Sequence, residues 1–212
     1  ELEEENDDDE YVMRLSFKYL TNENLNESQI KQINDDFAIE IIPRLYLGSK
    51  RAALDEDWLK YNKITDILTV AQDIKPRFPK SFVYKVIPIR DSESQDISKY
   101  FEETFMFIQN VLDQEDRRIL VHCEMGISRS PTVVIAYIMR SQKKSLKEAV
   151  IFVKERKSFV RPNSGFYRQL KEFGSELSLK NDSDSESELL NQLDGIVVQQ
   201  WDVLFSAYGW NF

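Results

Sequence analysis

The most restrictive stretch of this chain runs from Arg118 to Pro131 and carries its only histidine, His122, and its only cysteine, Cys123. Residues 119–121 form a short apolar run of buried-strand type, and residues 132–139 form one long enough, with its flanks, for a helix. A loop with one glycine, Gly126, separates them. A strand that feeds a tight loop and then a helix N-terminus aims successive backbone N–H groups at one spot, where the helix dipole also favours negative charge. Pro131 suits a first helical turn, in which its missing N–H costs nothing, so the spacing predicts a helix starting near Arg129. The stretch therefore predicts a phosphate cradle with a cysteine in it.

Cys123 and Arg129 stand six positions apart, and a loop of that length curls until both ends face one centre. A cysteine thiolate is a nucleophile, and the planar guanidinium of Arg129 matches two phosphate oxygens. Inward N–H groups from Glu124, Met125, Gly126, Ile127, Ser128 and Arg129 are expected to hold the other oxygens. The same donors favour the thiolate over the thiol. Ser130 adds a hydroxyl directly after the arginine. His122 invites a role as base, but neighbouring residues of a strand point to opposite faces. It is expected instead to order the loop through a backbone hydrogen bond.

The rest of the chain predicts the frame around this loop. Patterning predicts strands over 38–42, 45–47, 64–70 and 82–89, the last two read as buried. Helical spacing recurs over 51–61 and over 100–112, where Phe101, Phe105, Ile108 and Leu112 share a face. Ser145 and Glu148 make a capping box that opens a helix to about residue 157. Arg161-Pro162-Asn163 ends that element and caps a further helix to about residue 178. Strands alternating with helices, and apolar on both faces near the loop, predict an α/β fold. Its centre is a mainly parallel sheet of about five strands flanked by helices on both faces. Ligands of such sheets lie beyond the C-terminal strand ends, where Cys123 falls. The polar, turn-rich segment 90–98 is expected at the surface, in the kind of loop that carries function.

Charge sorts the chain further. Residues 1–10 hold eight acids and residues 181–188 four, with no base in either, so the net charge of −9 leaves a body near +3. The acidity belongs to the ends and is compatible with an anionic substrate. We therefore expect an acidic, partly disordered extension over 1–36, with weak helical spacing at 11–20 and 26–37, a folded domain over 37–178 and a Ser-rich acidic linker over 179–188. The final segment, from Leu189 to Phe212, carries apolar residues on one helical face and is expected to pack on the domain or on a partner. A single cysteine excludes an internal disulfide and multi-cysteine zinc sites within this chain. With no charged-then-apolar leader at its start, the expectation is a reducing compartment, cytoplasmic or nuclear. The longest apolar run, 133–139, is too short to span a bilayer.

The stretch His122-Cys123-Glu124-Met125-Gly126-Ile127-Ser128-Arg129-Ser130, continuing to Ala136-Tyr137-Ile138-Met139, resembles the signature of the dual-specificity protein phosphatases, in the cysteine-dependent tyrosine phosphatase superfamily. Three further blocks match in the family's order: Ile42-Pro43-Arg44-Leu45-Tyr46-Leu47-Gly48-Ser49, then Ile64-Thr65-Asp66-Ile67-Leu68, and Arg161-Pro162-Asn163-Ser164-Gly165-Phe166 with Gln169-Leu170. The blocks fall within residues 37–178, as in small atypical members without a kinase-docking domain. The resemblance implies a tyrosine-phosphatase-like fold and hydrolysis of phosphotyrosine, phosphoserine and phosphothreonine through a cysteinyl phosphate. It implies that Asp91, 32 residues before Cys123, protonates the leaving oxygen and then activates water. Glu93 and Asp96 share that loop and remain alternatives. Ser130 matches the hydroxyl that eases departure of the thiolate, and Asn163 a position that braces the loop. No metal or other cofactor is implied.

The variable loop positions Glu124, Met125, Ile127 and Ser128 add no positive charge. This favours a phosphoprotein partner over nucleic acid or a membrane surface. Phosphoprotein binding without turnover, as a pseudophosphatase or scaffold, is the alternative; the joint presence of Cys123, Arg129 and Asp91 argues against it.

Overall fold

A computed structural model describes residues 37–177. In chain order its elements are β1 (Ala38–Ile42), β2 (Leu45–Gly48), α1 (Lys50–Ala53), α2 (Glu56–Tyr61), β3 (Asp66–Val70), β4 (Val83–Ile87), a 3-10 turn (Ser98–Tyr100), α3 (Phe101–Leu112), β5 (Ile119–His122), α4 (Arg129–Gln142), α5 (Leu146–Lys154) and α6 (Ser164–Glu176). The strands form one sheet in the order β1-β2-β5-β3-β4. Only the β1–β2 pair is antiparallel; β2–β5, β5–β3 and β3–β4 are parallel. The expected five-stranded, mainly parallel α/β fold is thus present.

Strand alternation builds the layers, because successive side chains leave a strand on opposite faces. Leu45 and Leu47 of β2, Leu68 and Val70 of β3, and Ile119 and Val121 of β5 enter the core shared with α3, α4, α5 and α6. The alternate positions Tyr46, Ile67 and Leu120 are buried on the opposite face. There Trp58 of α2 meets the rings of Tyr46 and Phe37 edge-on. Every residue from Ser130 to Met139 of α4 is buried. Ten consecutive buried positions leave no polar face, so α4 is a central helix and its start is held rigidly against the sheet. Each large aliphatic buried there stabilises the fold by roughly 1.5–3 kcal/mol.

Several expected boundaries move. The helix expected over 51–61 is two helices, because the Asp55 carboxylate accepts the Trp58 N–H at 3.0 Å and starts a new helix. The strand expected over 82–89 is shortened to Val83–Ile87; Pro88 follows it and has no N–H to extend the ladder. It is also an edge strand, not a buried one, with Val83 52% and Val86 37% exposed. The Ser145–Glu148 capping box forms as expected, although its helix ends at Lys154. No described helix is long and apolar enough to cross a membrane. The readings for 1–36, 179–188 and Leu189 to Phe212 lie outside the described residues.

Candidate active site

Three parallel strands finish side by side beneath the loop. The register aligns Gly48 of β2 and Thr69 of β3 with His122 of β5, and the chain leaves the sheet at Cys123. Neighbouring segments then turn the loop's carbonyls outward: the Lys50 N–H donates to Glu124 O at 3.0 Å, and the Arg161 N–H donates to Ile127 O at 2.7 Å. A trans peptide holds its C=O and N–H in opposite directions, so outward carbonyls at Glu124 and Ile127 turn the N–H groups of Met125 and Ser128 inward. Gly126 completes the curl at φ +72°, where a Cβ would stand 2.7 Å from Gly48 O. That backbone conformation and that approach both require glycine.

The Cys123 sulfur sits inside this ring. The residue is 1% exposed, and Sγ accepts hydrogen bonds from the Gly126 N–H and the Ser130 hydroxyl, each at 3.2 Å. Two donors and the start of α4 converge on the sulfur. Arg129 is the first residue of α4. Its Nε is buried, makes no hydrogen bond among the described residues, and lies 3.6 Å from Asp91 Oδ2. A buried guanidinium N–H that has an ion-pair neighbour but no hydrogen-bond acceptor among the described residues is set to meet an acceptor from outside.

Of the three acids in the 90–98 loop, Asp91 is the one brought to the cradle. Its Oδ1 accepts from the Ser128 hydroxyl at 2.7 Å and from the Asn163 amide at 2.8 Å. Asp96 is spent on the turn into α3, accepting from the Ser98 hydroxyl at 2.8 Å and the Lys99 N–H at 3.3 Å. The Ser98 hydroxyl chiefly holds its carboxyl below the usual range. Glu93 presses its backbone on Gly165.

His122 points away from the thiol, on the face opposite Val121. Its Nε2 pairs with the Thr69 hydroxyl at 2.8 Å and its Nδ1 with the Cys123 carbonyl at 3.1 Å. Burial pushes its pKa down to about 4, leaving the ring neutral at neutral pH. With the Cys123 carbonyl as acceptor, Nδ1 carries the proton and Nε2 accepts from Thr69.

Further contacts complete the site. Gln169 accepts the N–H groups of Ile97 and Ser98 at 2.8 and 2.9 Å and donates to Gln95 O at 2.8 Å, tying the acid loop to α6. The sequence marked Gln169 only as part of the block that resembles the family, with no role attached, and its spacing of four from Gly165 puts the two on one helical face. Thr69 and Lys50 carried no such mark, because strand register brings one to His122 and a turn brings the other to the loop. Lys50 is taken up by Glu124 at 3.1 Å, so it adds little net charge to the rim. Met125, 48% exposed, supplies an apolar edge beside the cradle.

The dual specificity phosphatase catalytic domain profile matches residues 45–176. Over 148 residues the chain is 43% identical to a protein phosphatase Slingshot homolog of Xenopus laevis, covering 70% of this chain and 21% of that protein. It is 41% identical over 134 residues to dual specificity protein phosphatase 1B of Arabidopsis thaliana, covering 63% of this chain and 80% of that one. The chain thus spans about a fifth of the first relative's length and most of the second's. Among solved structures, the human tyrosine phosphatase-like serine/threonine/tyrosine-interacting protein superposes with a TM-score of 0.64 at 35% identity, over 66% of this chain and 97% of that one.

Proposed function

Because this chain belongs to the dual specificity phosphatase family, we propose that it hydrolyses phosphate monoesters on tyrosine, serine and threonine side chains of proteins, with Cys123 as nucleophile and Asp91 as general acid. The observation that carries this reading is the convergence of the Cys123 sulfur, the Arg129 Nε that lacks a hydrogen bond among the described residues, and the Asp91 carboxylate beside it on one ring of inward N–H groups. Phosphate enters with its oxygens on the loop N–H groups and the Arg129 guanidinium. The thiolate attacks phosphorus as the bond to the leaving oxygen breaks, and the Asp91 proton passes to that oxygen. Water then attacks the cysteinyl phosphate, gives its proton to the Asp91 carboxylate and releases inorganic phosphate. The Ser130 hydroxyl receives the departing thiolate. Charge developing on the transferring phosphoryl group is met by donors already in place, so little reorganisation is needed.

A protein substrate suits the rim. Glu124 neutralises Lys50, and exposed Met125 offers an apolar edge rather than a basic one. A cytoplasmic or nuclear setting follows from such a substrate and from a catalytic thiol that must stay reduced.

The test is vanadate-sensitive hydrolysis of p-nitrophenyl phosphate and of phosphopeptides, unaffected by chelator. Cys123→Ser is expected to abolish turnover while retaining phosphopeptide binding; undiminished activity in that variant would sink the mechanism. A pull-down with Asp91→Ala is expected to trap the physiological phosphoprotein.

A further inference from the structure

Ser128 occupies the N-cap position of α4, where a serine ordinarily bonds the N–H groups of the first helical turn, yet its side chain makes no capping bond. Its hydroxyl donates to Asp91 Oδ1 instead, at 2.7 Å. A third residue meets the same hydroxyl: the Asn163 backbone N–H donates to Ser128 Oγ at 3.2 Å, taking one of its two acceptor lone pairs. Asn163 also fixes its own amide. Its Oδ1 accepts the Phe166 N–H at 3.0 Å as the N-cap of α6, so the NH2 group must face outward, and it donates to Asp91 Oδ1 at 2.8 Å. Two donors, the Ser128 hydroxyl and the Asn163 amide, therefore meet on one oxygen of the carboxylate. The other oxygen, Oδ2, receives neither and lies toward Arg129 Nε at 3.6 Å.

We infer that Ser128 and Asn163 form a positioning pair that reserves Asp91 Oδ1 as an acceptor and so confines the transferable proton to Oδ2, the oxygen facing the cradle. The inference rests on Asp91 being the acid of the proposed phosphatase reaction and assigns the two residues a task beyond holding the loop. An oxygen already accepting two hydrogen bonds is a poor place for a proton, since an O–H there would point at the donors. In the first step the Oδ2–H bond breaks and its proton goes to the leaving oxygen as the P–O bond breaks. In the second, a water proton goes to Oδ2 as the water oxygen bonds phosphorus and the S–P bond returns its electron pair to sulfur. Oδ1 keeps both donors throughout, so the carboxylate need not rotate between steps. The same pair joins three separate segments, the acid loop, the phosphate loop and the start of α6, at one oxygen atom.

The test compares two aryl phosphates on the full-length chain, phenyl phosphate, whose leaving group needs protonation, and 2,4-dinitrophenyl phosphate, whose leaving group does not. Ser128→Ala removes one donor. Asn163→Asp keeps an oxygen for the α6 cap but replaces the other donor by an acceptor, so it separates positioning from folding. Both variants are expected to lose kcat/KM on phenyl phosphate about tenfold more than on the dinitrophenyl ester, within the roughly 10²–10⁴-fold that a general acid contributes. In an Asp91→Asn background neither substitution is expected to cost more on phenyl phosphate than Asp91→Asn alone. Parallel losses on the two esters, or losses that multiply with Asp91→Asn, overturn the pair's role while leaving the phosphatase reading intact. A wild-type chain that turns over neither ester overturns that reading and the pair's role with it.

Discussion

Gly165 and Glu93 touch where no side chain fits: a Cβ on Gly165 would stand 2.5 Å from the Cα of Glu93 and closer still to its carbonyl oxygen. The acid loop thus lies directly on the first turn of α6, two residues from Asp91. Gly165→Ala is expected to separate two effects that usually run together. Helix propensity alone favours alanine by about 1 kcal/mol, but the loop would have to move away. A displacement of that order costs on the order of 10²-fold in turnover of a poor leaving group, with vanadate binding retained. Steady-state kinetics beside a vanadate titration checks this; a more stable variant with full activity would refute the contact's role.

Gln169 holds the other end of the same loop. Gln169→Ala removes three hydrogen bonds, two accepted and one donated, whereas Gln169→Glu keeps the two acceptors. At about 1 kcal/mol per net hydrogen bond, the alanine variant is expected to lower kcat about tenfold or more and the glutamate variant less. Equal kcat values in both variants and the wild type would mean that the loop needs no anchor there.

Gly126 is the strained point of the cradle. With φ at +72° and Gly48 O 2.7 Å from any Cβ, Gly126→Ala is expected to destabilise the fold by about 1–3 kcal/mol and to reduce phosphate affinity, because the inward N–H groups move with the backbone. Urea denaturation measures the first effect and competitive inhibition by inorganic phosphate the second. An unchanged midpoint counts against the packing described.

His122 makes stability depend on acid. Its folded pKa of about 4 lies below the ordinary 6.5, so in this window the unfolded chain binds the proton that the folded chain refuses. Stability is complete above about pH 6.5 and falls as the pH drops toward 4, by about 3 kcal/mol. The chain has no second histidine, so His122→Gln is expected to flatten this slope in urea denaturation across that range. An identical slope in the variant would show that the ring titrates freely in the folded state.

The central helix, the capping box and the cradle were legible because each depends on a short run of neighbours. Ser145 with Glu148, or Cys123 with Arg129, needs only local chain geometry. The sheet order was not legible, nor was the exposure of β4, since an apolar strand reads alike at an edge and in the middle. The helix expected over 51–61 broke because Asp55 prefers a cap to a helix interior, a choice that spacing alone does not express.

What the sequence determined by itself is the chemistry: a thiol, a guanidinium and a hydroxyl placed on one loop by covalent spacing. The resemblance already points to Asp91; what only the tertiary structure decided is what each acid of that loop touches and in which orientation. Asp91, Glu93 and Asp96 are alike in charge and separated by a few residues. They differ only in what the fold sets against them: Gly165 under Glu93, the Ser98 turn around Asp96, and the hydroxyl of Ser128 and amide of Asn163 on Asp91. The partners of Asp91 come from 37 and 72 positions away, distances over which no local periodicity carries information and only packing brings groups within hydrogen-bonding range.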